Sequence, residues 1–374
     1  MLEPPDVVFV LLGDPTGSSR ALRQIRALVG MGARVRVIGM GVPRDPDALP
    51  DGVTLVMLDL PSAHGPMLFW QAHRALARAL RGTEARVIHA SDLHVLPAAA
   101  AAAQRSGAAL VYDAREWYAG LDASAGRAWV GPLWAAVESR WAPRADVVFT
   151  VNDTIADRIA ETRGIARPVV VRNVAERSGR LPSGALRARL GLGDRPVALY
   201  QGLLRPGRGL AALVDAWGDV DGDLVLIGEG SEEDTLRVQS ERTAPGRVHF
   251  VPFTPPDELA TLTPDADLGV IVARPLTESL RLGLPNKLFE YAAAGLPVLA
   301  GSGIEPLTDI VRATGAGEAV DPDDRDALVA ALRRMLSAPE AYRDGVARLR
   351  AAYTPERETA AFLDAYAPLL ADRR

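Results

Sequence analysis

Lys287 is the single lysine among 374 residues in which Lys and Arg together number 42. It sits in "GLPNKLFEY" (283–291), where Pro285 stops the preceding turn, Asn286 is a good helix N-cap, and Lys287 begins a helix that Gly295 ends. A cation in the first helical turn opposes the macrodipole by a few tenths of a kcal/mol, and a bound anion would reverse that sign. Glu290, three residues on, shares its helix face, so a plain surface ion pair is an equally admissible reading. A second cationic loop, "YQGLLRPGRGL" (200–210), carries Gly202, Arg205 and Arg208 into a helix. Glycine lets backbone approach a ligand closely, and arginine adds charge suited to phosphate. "IGEGSEED" (227–234) offers Gly228 and Gly230 before a helix, but its acidic residues would repel phosphate.

Three N-terminal loops also carry reactive groups. Gly13 to Arg20 presents amides, Asp14, the Ser18 hydroxyl and the Arg20 guanidinium at a helix start. That suits a phosphate or polyhydroxyl ligand, or simply a Ser-capped helix; without G-x-G-x-x-G it gives a dinucleotide site little support. "HASDLH" places His89, Asp92 and His94 after an apolar run. Metal binding is disfavoured with five histidines in the chain and no accompanying cluster; His89 reads as a core residue and Asp92 as a cap for the next helix. "YDAREWY" contributes Asp113, Arg115 and Glu116, as site residues or as a buried ion pair.

These loops follow short continuous apolar runs: 7–12, 34–40, 53–60, 86–91, 109–114, 146–152 and 168–173, then 196–202, 223–230, 247–253, 267–273 and 297–301. Unalternated Val/Ile/Leu runs separated by helical patterns imply parallel sheets buried on both faces, an α/β doubly wound class. The length exceeds what one core usually supports, which implies two domains. The expected division is 1–175, then 176–352 across a polar connection near 175–196, with a helix in 353–374 packing back on the first domain. A net charge of −5 leaves no footprint for nucleic acid, and the absence of Cys excludes disulfides, thiolate metal sites and Cys nucleophiles. The acidic start and short first apolar run do not read as a signal peptide or a membrane span, so the expected location is cytoplasmic. Peripheral contact with a membrane through Arg and Trp side chains, for example between Arg115 and Trp141, stays open.

In order, "LYQGLLRPGRGLAALVDAW", "LVLIGEGSEEDTL", "RVHFVPFTPPDELATLTPDADLGVIV" and "LPNKLFEYAAAGLPVLA" resemble the donor-binding blocks of retaining GT-B glycosyltransferases. This is the family 4-like (glycosyl transferases group 1) set that includes sucrose synthases, bacterial mannosyltransferases and lipopolysaccharide core enzymes. "VIHASDLHVLPAAA", "LVYDAREWY", "ESRWAPRADVVFTVNDTIADRIA" and "VVVRNV" match in the N-terminal half.

The resemblance implies two Rossmann-like domains facing across a cleft. It also implies transfer of a hexose-type sugar, with retention, from a UDP-, GDP-, ADP- or dTDP-linked donor, without cofactor or metal. By position, Glu290 would hold the ribose hydroxyls and Arg208 would stand where a lysine usually neutralises the diphosphate. Leu284, Pro285, Asn286, Lys287 and Leu288 would present amides to sugar and diphosphate, and Val251 to Phe253 would meet the base. Gly202, Leu203, Gly228 and Gly230 complete the donor side. Arg208, Lys287, Asp92 and Arg115 are the catalytic candidates; Gly13, Asp14, Ser18, Arg20, His89 and Glu116 belong to the acceptor or sugar side.

Three positions depart from the family pattern. Leu282 stands for a glutamate, with Glu278 out of register; Leu203 stands for an arginine, and Arg115 for a histidine. The first departure is shared by branches with "PNKLFEY". The acceptor is unspecified: glycan, lipid or small molecule. The rivals are a nucleotide-sugar 2-epimerase using His89, Asp92 and Glu116, and a nucleotide-sugar-binding protein without catalysis.

Overall fold

A computed structural model of the chain describes residues 3–59, 66–121, 129–175 and 182–371. The chain divides into one unit of Met1–Asn173 with Glu356–Arg374 and a second of Val174–Pro355. Part of the polar connection near 175–196 lies outside the described residues, as do the last residue of the 53–60 run and 122–128 within the 115–141 region.

The first unit holds seven parallel strands: β1 (Val7–Leu11), β2 (Val35–Met40), β3 (Thr54–Leu58), β4 (Val87–Ser91), β5 (Ala109–Ala114), β6 (Val147–Thr150) and β7 (Val169–Val170). Their order is β3-β2-β1-β4-β5-β6-β7. The second holds β8 (Val197–Gln201), β9 (Asp223–Ile227), β10 (Val248–Val251), β11 (Leu268–Ile271), β12 (Val298–Gly301) and β13 (Gly317–Val320), ordered β10-β9-β8-β11-β12-β13. In each sheet the order reverses beside the first strand, between β1 and β4 and between β8 and β11. Loops leaving the carboxyl ends of these paired strands open a crevice, where ligands of such sheets bind.

The unalternated apolar runs have a direct cause. In the second unit Val197, Leu199, Val225 and Ile227 enter one core, while Ala198, Tyr200, Leu224 and Leu226 enter another on the opposite face. Successive side chains point to opposite faces, so a strand covered on both sides must be apolar throughout. Outside such central strands the signal fades. The run at 168–173 yields only the two-residue β7, and β13, half-buried with the sequence GEAV, was not anticipated, nor were the helices Glu305–Thr314, Arg325–Ser337 and Arg343–Ala352.

The last helix, Pro355–Leu370, belongs to the first unit. Its Phe362 and Tyr366 join the core formed by Val7, Phe9, Val87, Val111 and Phe149. The Tyr366 hydroxyl lies 2.7 Å from His89 Nδ1, and the imidazole stacks on Phe9 with centroids 4.2 Å apart. Among the described residues no helix is long and apolar enough to cross a membrane.

Candidate functional site

In the second unit Arg208 and Lys287 come near each other by the loop that leaves β8. Gly202 follows β8 with φ +133°, and a Cβ there would lie 2.7 Å from Lys287 Nζ. Both the backbone region and the lysine therefore require glycine. Gly228 (φ +141°), after β9, is equally constrained, since its Cβ would meet the Gly202 carbonyl oxygen at 2.0 Å. Gly230 packs as closely on Leu204. Three glycines thus let the two loops stack backbone on backbone, tied by Gly202 N–H to Ile227 O at 2.8 Å and Leu204 N–H to Glu229 O at 3.0 Å.

The ammonium of Lys287, partly buried, lies 5.2 Å from the Tyr200 ring centroid, and the Tyr200 hydroxyl donates to Leu203 O at 2.8 Å. Burial and the Arg208 guanidinium push Lys287 down to about 8, with Glu290 partly offsetting them. Among the described residues neither Lys287 nor Arg208 forms an ion pair. The expected surface pair with Glu290 is absent because Glu290 accepts instead from Gln201 Nε2 at 2.5 Å, and Gln201 Oε1 accepts from the Thr263 hydroxyl at 3.0 Å. Asn286 takes the N-cap place of the helix Lys287–Ala294 but, with φ −56° and ψ −32°, caps nothing with its side chain. The backbone N–H groups of Leu284, Asn286 and Lys287 have no acceptor among the described residues. Two unpaired cations beside open amides are the kind of group that could hold an anion.

The remaining donor-side candidates divide by exposure. Leu288 is core, and Pro285 O accepts from its N–H at 3.1 Å. Val251 is buried with its carbonyl taken by Gly228 N–H at 2.9 Å, while Phe253 and Leu203 are exposed. Leu282 is buried, so a carboxylate at that position would have to enter an apolar environment; Glu278 instead faces Arg281 at 3.6 Å. Sequence reasoning missed Tyr200, Gln201 and Thr263. The signal was a polar Gln closing an otherwise apolar strand.

In the first unit Asp92, His94, Arg115 and Glu116 converge beyond β4 and β5. Asp92 has φ +123°, the one non-glycine residue in that region among the described residues. Such geometry costs about 1–3 kcal/mol and persists where its surroundings impose it. Asp92 Oδ1 accepts from His94 N–H at 3.0 Å and bonds His94 Nδ1, so it closes its own turn and does not cap the helix Leu96–Ser106, whose N-cap position is Val95. Burial opposes its ionisation, but His94 and Arg115 hold its pKa below the usual range. Burial and the neighbouring Asp92 charge raise Glu116. Arg115 Nη2 donates to Ser18 Oγ at 3.3 Å, and Ser18 also caps the helix Ser19–Gly30. The Ser91 and Tyr118 hydroxyls are buried without partners beside this group and were also missed.

Three first-unit candidates have structural partners. Arg20 is buried in a two-point pair with Asp113, Nε to Oδ2 at 2.8 Å and Nη2 to Oδ1 at 2.6 Å, and also donates to Val171 O. Burial opposes the Asp113 charge, yet Arg20 holds its pKa at about 2. The buried pair in this region is thus Arg20–Asp113, not one between Asp113, Arg115 and Glu116. His89 is enclosed, and burial pushes it down to about 4, which leaves it neutral. Asp14 binds the Thr16 N–H (2.8 Å), the Thr16 hydroxyl (2.6 Å) and the Arg44 N–H (2.9 Å), so it organises the loop that starts at Gly13 (φ +105°).

Residues 16–174 match the glycosyl transferase 4-like domain family, and residues 184–350 match glycosyl transferases group 1. A curated relative is the GDP-mannose-dependent alpha-(1-6)-phosphatidylinositol monomannoside mannosyltransferase of Mycolicibacterium smegmatis. It is 33% identical over 162 residues, 41% of this chain and 42% of that enzyme. The fold is similar to sucrose-phosphate synthase from Thermosynechococcus elongatus, with TM-score 0.83 and 19% identity over 99% of this chain and 100% of that one. It is also similar to Anabaena HepE in complex with UDP-glucose, with TM-score 0.74 and 16% identity over 97% of this chain and 99% of that one.

Proposed function

The chain belongs to the GT-B glycosyltransferases, joining a 4-like domain to a group 1 domain, and on that premise we propose that it moves a hexose-type sugar from a nucleoside diphosphate donor to an acceptor hydroxyl. The observation that carries this reading is the cation pair Lys287/Arg208, without carboxylate partners, beside the open amides of Leu284 to Lys287. Negative charge accumulates on the diphosphate as the glycosidic bond breaks. Preorganised cations and amides stabilise that charge where it develops, without reorganising at the moment of reaction. Glu290, held by Gln201, supplies two oxygens for a ribose cis-diol. Gly202, Gly228 and Gly230 leave room for the nucleotide, with Val251 to Phe253 lining the base.

Retention is the outcome that the family resemblance implies; with no donor-side side chain among the described residues poised as a nucleophile, it would go by front-face attack. The departing phosphate takes the acceptor proton. Asp92, Arg115 and Glu116 are the acceptor-side candidates of the first unit. The M. smegmatis relative is named as GDP-mannose-dependent, and HepE is seen with UDP-glucose. UDP- and GDP-sugars therefore head a thermal-shift screen that includes ADP- and dTDP-sugars.

Arg208→Ala and Lys287→Ala should each strongly reduce donor hydrolysis or transfer while the melting profile is kept. Wild-type turnover in both variants overturns the reading. The raised Glu116 beside Asp92 also fits proton transfer at a sugar carbon, as in a nucleotide-sugar 2-epimerase. Product analysis without acceptor separates the two: an epimeric nucleotide sugar supports epimerisation, whereas sugar with free nucleoside diphosphate supports transfer.

A further inference from the structure

Two neighbouring helices of the first unit present an outer face unlike the rest of this acidic protein. The helix Pro66–Ala79 exposes Met67, Trp70, Arg74 and Arg78, spaced i, i+3, i+7, i+11. The helix Val130–Trp141 with its following turn exposes Leu133, Arg140 and Arg144, just after the exposed Trp129. The two helices meet through Phe69 and Trp134, whose rings are 5.1 Å apart in an edge-to-face contact. Met67, Trp70, Trp129 and Leu133 are 52%, 53%, 50% and 43% exposed, an unusual concentration of large apolar side chains in water.

The exposed charge on the two helices has one sign. The helix Pro66–Ala79 contains no Asp or Glu. The other contains only Glu138, which is fully buried, accepting from the Tyr112 hydroxyl at 2.8 Å and from Arg163 Nε at 2.9 Å. Some exposed arginines elsewhere pair with carboxylates, as Arg325 does with Asp215 and Asp219 and Arg167 with Asp153 and Asp157, whereas others such as Arg105 and Arg312 do not among the described residues. Among the described residues, Arg74, Arg78, Arg140 and Arg144 form no ion pair. Three of them lie over indole rings instead: Arg74 is 4.7 Å from the Trp70 centroid, and Arg140 and Arg144 are 5.3 and 4.4 Å from that of Trp141.

Indole rings beside unpaired guanidinium groups suit the boundary between lipid headgroups and acyl chains. There the ring takes the apolar side while the cation meets lipid phosphate. The apolar ends also lie near the candidate site, since Phe69 stacks on His94 with centroids 4.7 Å apart and Asp92 binds His94. We propose that the face formed by Met67, Trp70, Arg74, Arg78, Trp129, Leu133, Arg140 and Arg144 docks the protein on an anionic lipid bilayer. The residues of this face belong to the first unit and the donor-side residues to the second, and the proposal does not depend on which sugar is moved.

The test is co-sedimentation of the full chain with vesicles of phosphatidylcholine alone and of phosphatidylcholine with roughly one third phosphatidylglycerol, which gives the surface the negative potential that attracts basic side chains. Binding to the anionic vesicles is expected, with little to the neutral ones and strong weakening in ~0.5 M salt. Each Arg→Gln change among Arg74, Arg78, Arg140 and Arg144 should lower the partition coefficient about fivefold, and all four together at least ~100-fold. Trp70→Ser with Trp129→Ser should weaken binding at either salt concentration.

Circular dichroism and the nucleotide thermal shift keep the variants interpretable, because none of these residues belongs to the unit that carries the donor-side candidates. Absence of wild-type binding to anionic vesicles overturns the proposal. So does equal binding to both vesicle types, or binding that survives the fourfold arginine change. Sedimentation velocity reads the competing occupant: a dimer that Trp70→Ser dissociates, with no vesicle binding, would make the face a contact between copies and overturn the lipid assignment.

Discussion

Gln201→Leu isolates the device that keeps Lys287 and Glu290 apart. The two lie three residues apart on one helix, a spacing at which opposite charges usually pair. They do not pair here because the Gln201 amide donates to Glu290 while its oxygen accepts from Thr263. Leucine fills similar volume at this buried position but donates nothing. Glu290 then loses a hydrogen bond to a charged group, of the class worth ~1.5–3 kcal/mol, and its carboxylate is free to turn toward the Lys287 ammonium.

A nucleoside diphosphate would have to break the new pair before using either residue. The expected loss is about 1.4–2.8 kcal/mol, or roughly 10- to 100-fold in Kd. Isothermal titration with UDP and GDP at pH 7 and pH 9 is the assay. In the wild type Lys287 is held down to about 8 by burial and Arg208, so it loses its proton between these values and anion affinity should fall. In the variant a carboxylate partner keeps the lysine protonated to higher pH, so binding should be weaker at pH 7 yet fall less toward pH 9. Thr263 retains its bond to Leu259 O at 2.8 Å, which limits collateral damage. Affinity within twofold of wild type, together with the wild-type pH dependence and an unchanged melting temperature, would refute the reasoning.

Lys287→Met should raise the stability of the second unit at pH 7 by roughly 1–2 kcal/mol while abolishing nucleotide binding, measured by denaturant melts. The lysine binds its proton more weakly folded than unfolded, about 8 against 10.5, so wild-type stability rises from pH 8 to 10.5 and the advantage of methionine should shrink there. Asp92→Gly and Asp92→Ala both remove the carboxylate, but only glycine relaxes φ +123°; the glycine variant should unfold about 1–3 kcal/mol later. Equal stabilities would show that the backbone there is not strained. Phe362→Ala should cost the first unit about 3–5 kcal/mol in a urea titration, because the ring is fully buried against Phe149 and Tyr366 with centroids 5.0 and 4.9 Å away. A melt in which only the second unit shifts would place that helix elsewhere.

The sequence by itself determined the architecture class, because a parallel strand buried on two faces must be mostly apolar, and β1, β4, β5, β8 and β9 are, with polar exceptions at His89, Ser91, Asp113, Gln201 and Asp223. It also exposed the group 1 blocks, whose order along the chain is information that folding does not add. Edge elements such as β7 and β13 were not legible, since half-buried short strands place no such demand on composition. What each polar residue does was decided only by tertiary structure. Arg20 and Arg115 look alike in sequence, yet Arg20 is locked to Asp113 across 93 positions while Arg115 reaches Ser18. His89 and His94 stand in one loop motif, yet one is sealed under Tyr366 and the other faces Asp92. Lys287 and Glu290 are poised to pair by local geometry, and a glutamine 89 positions from Glu290 prevents it. Hydrogen bonds and desolvation act over a few ångströms of space, and the partners that set a charge's role come from strands and helices far away in the chain.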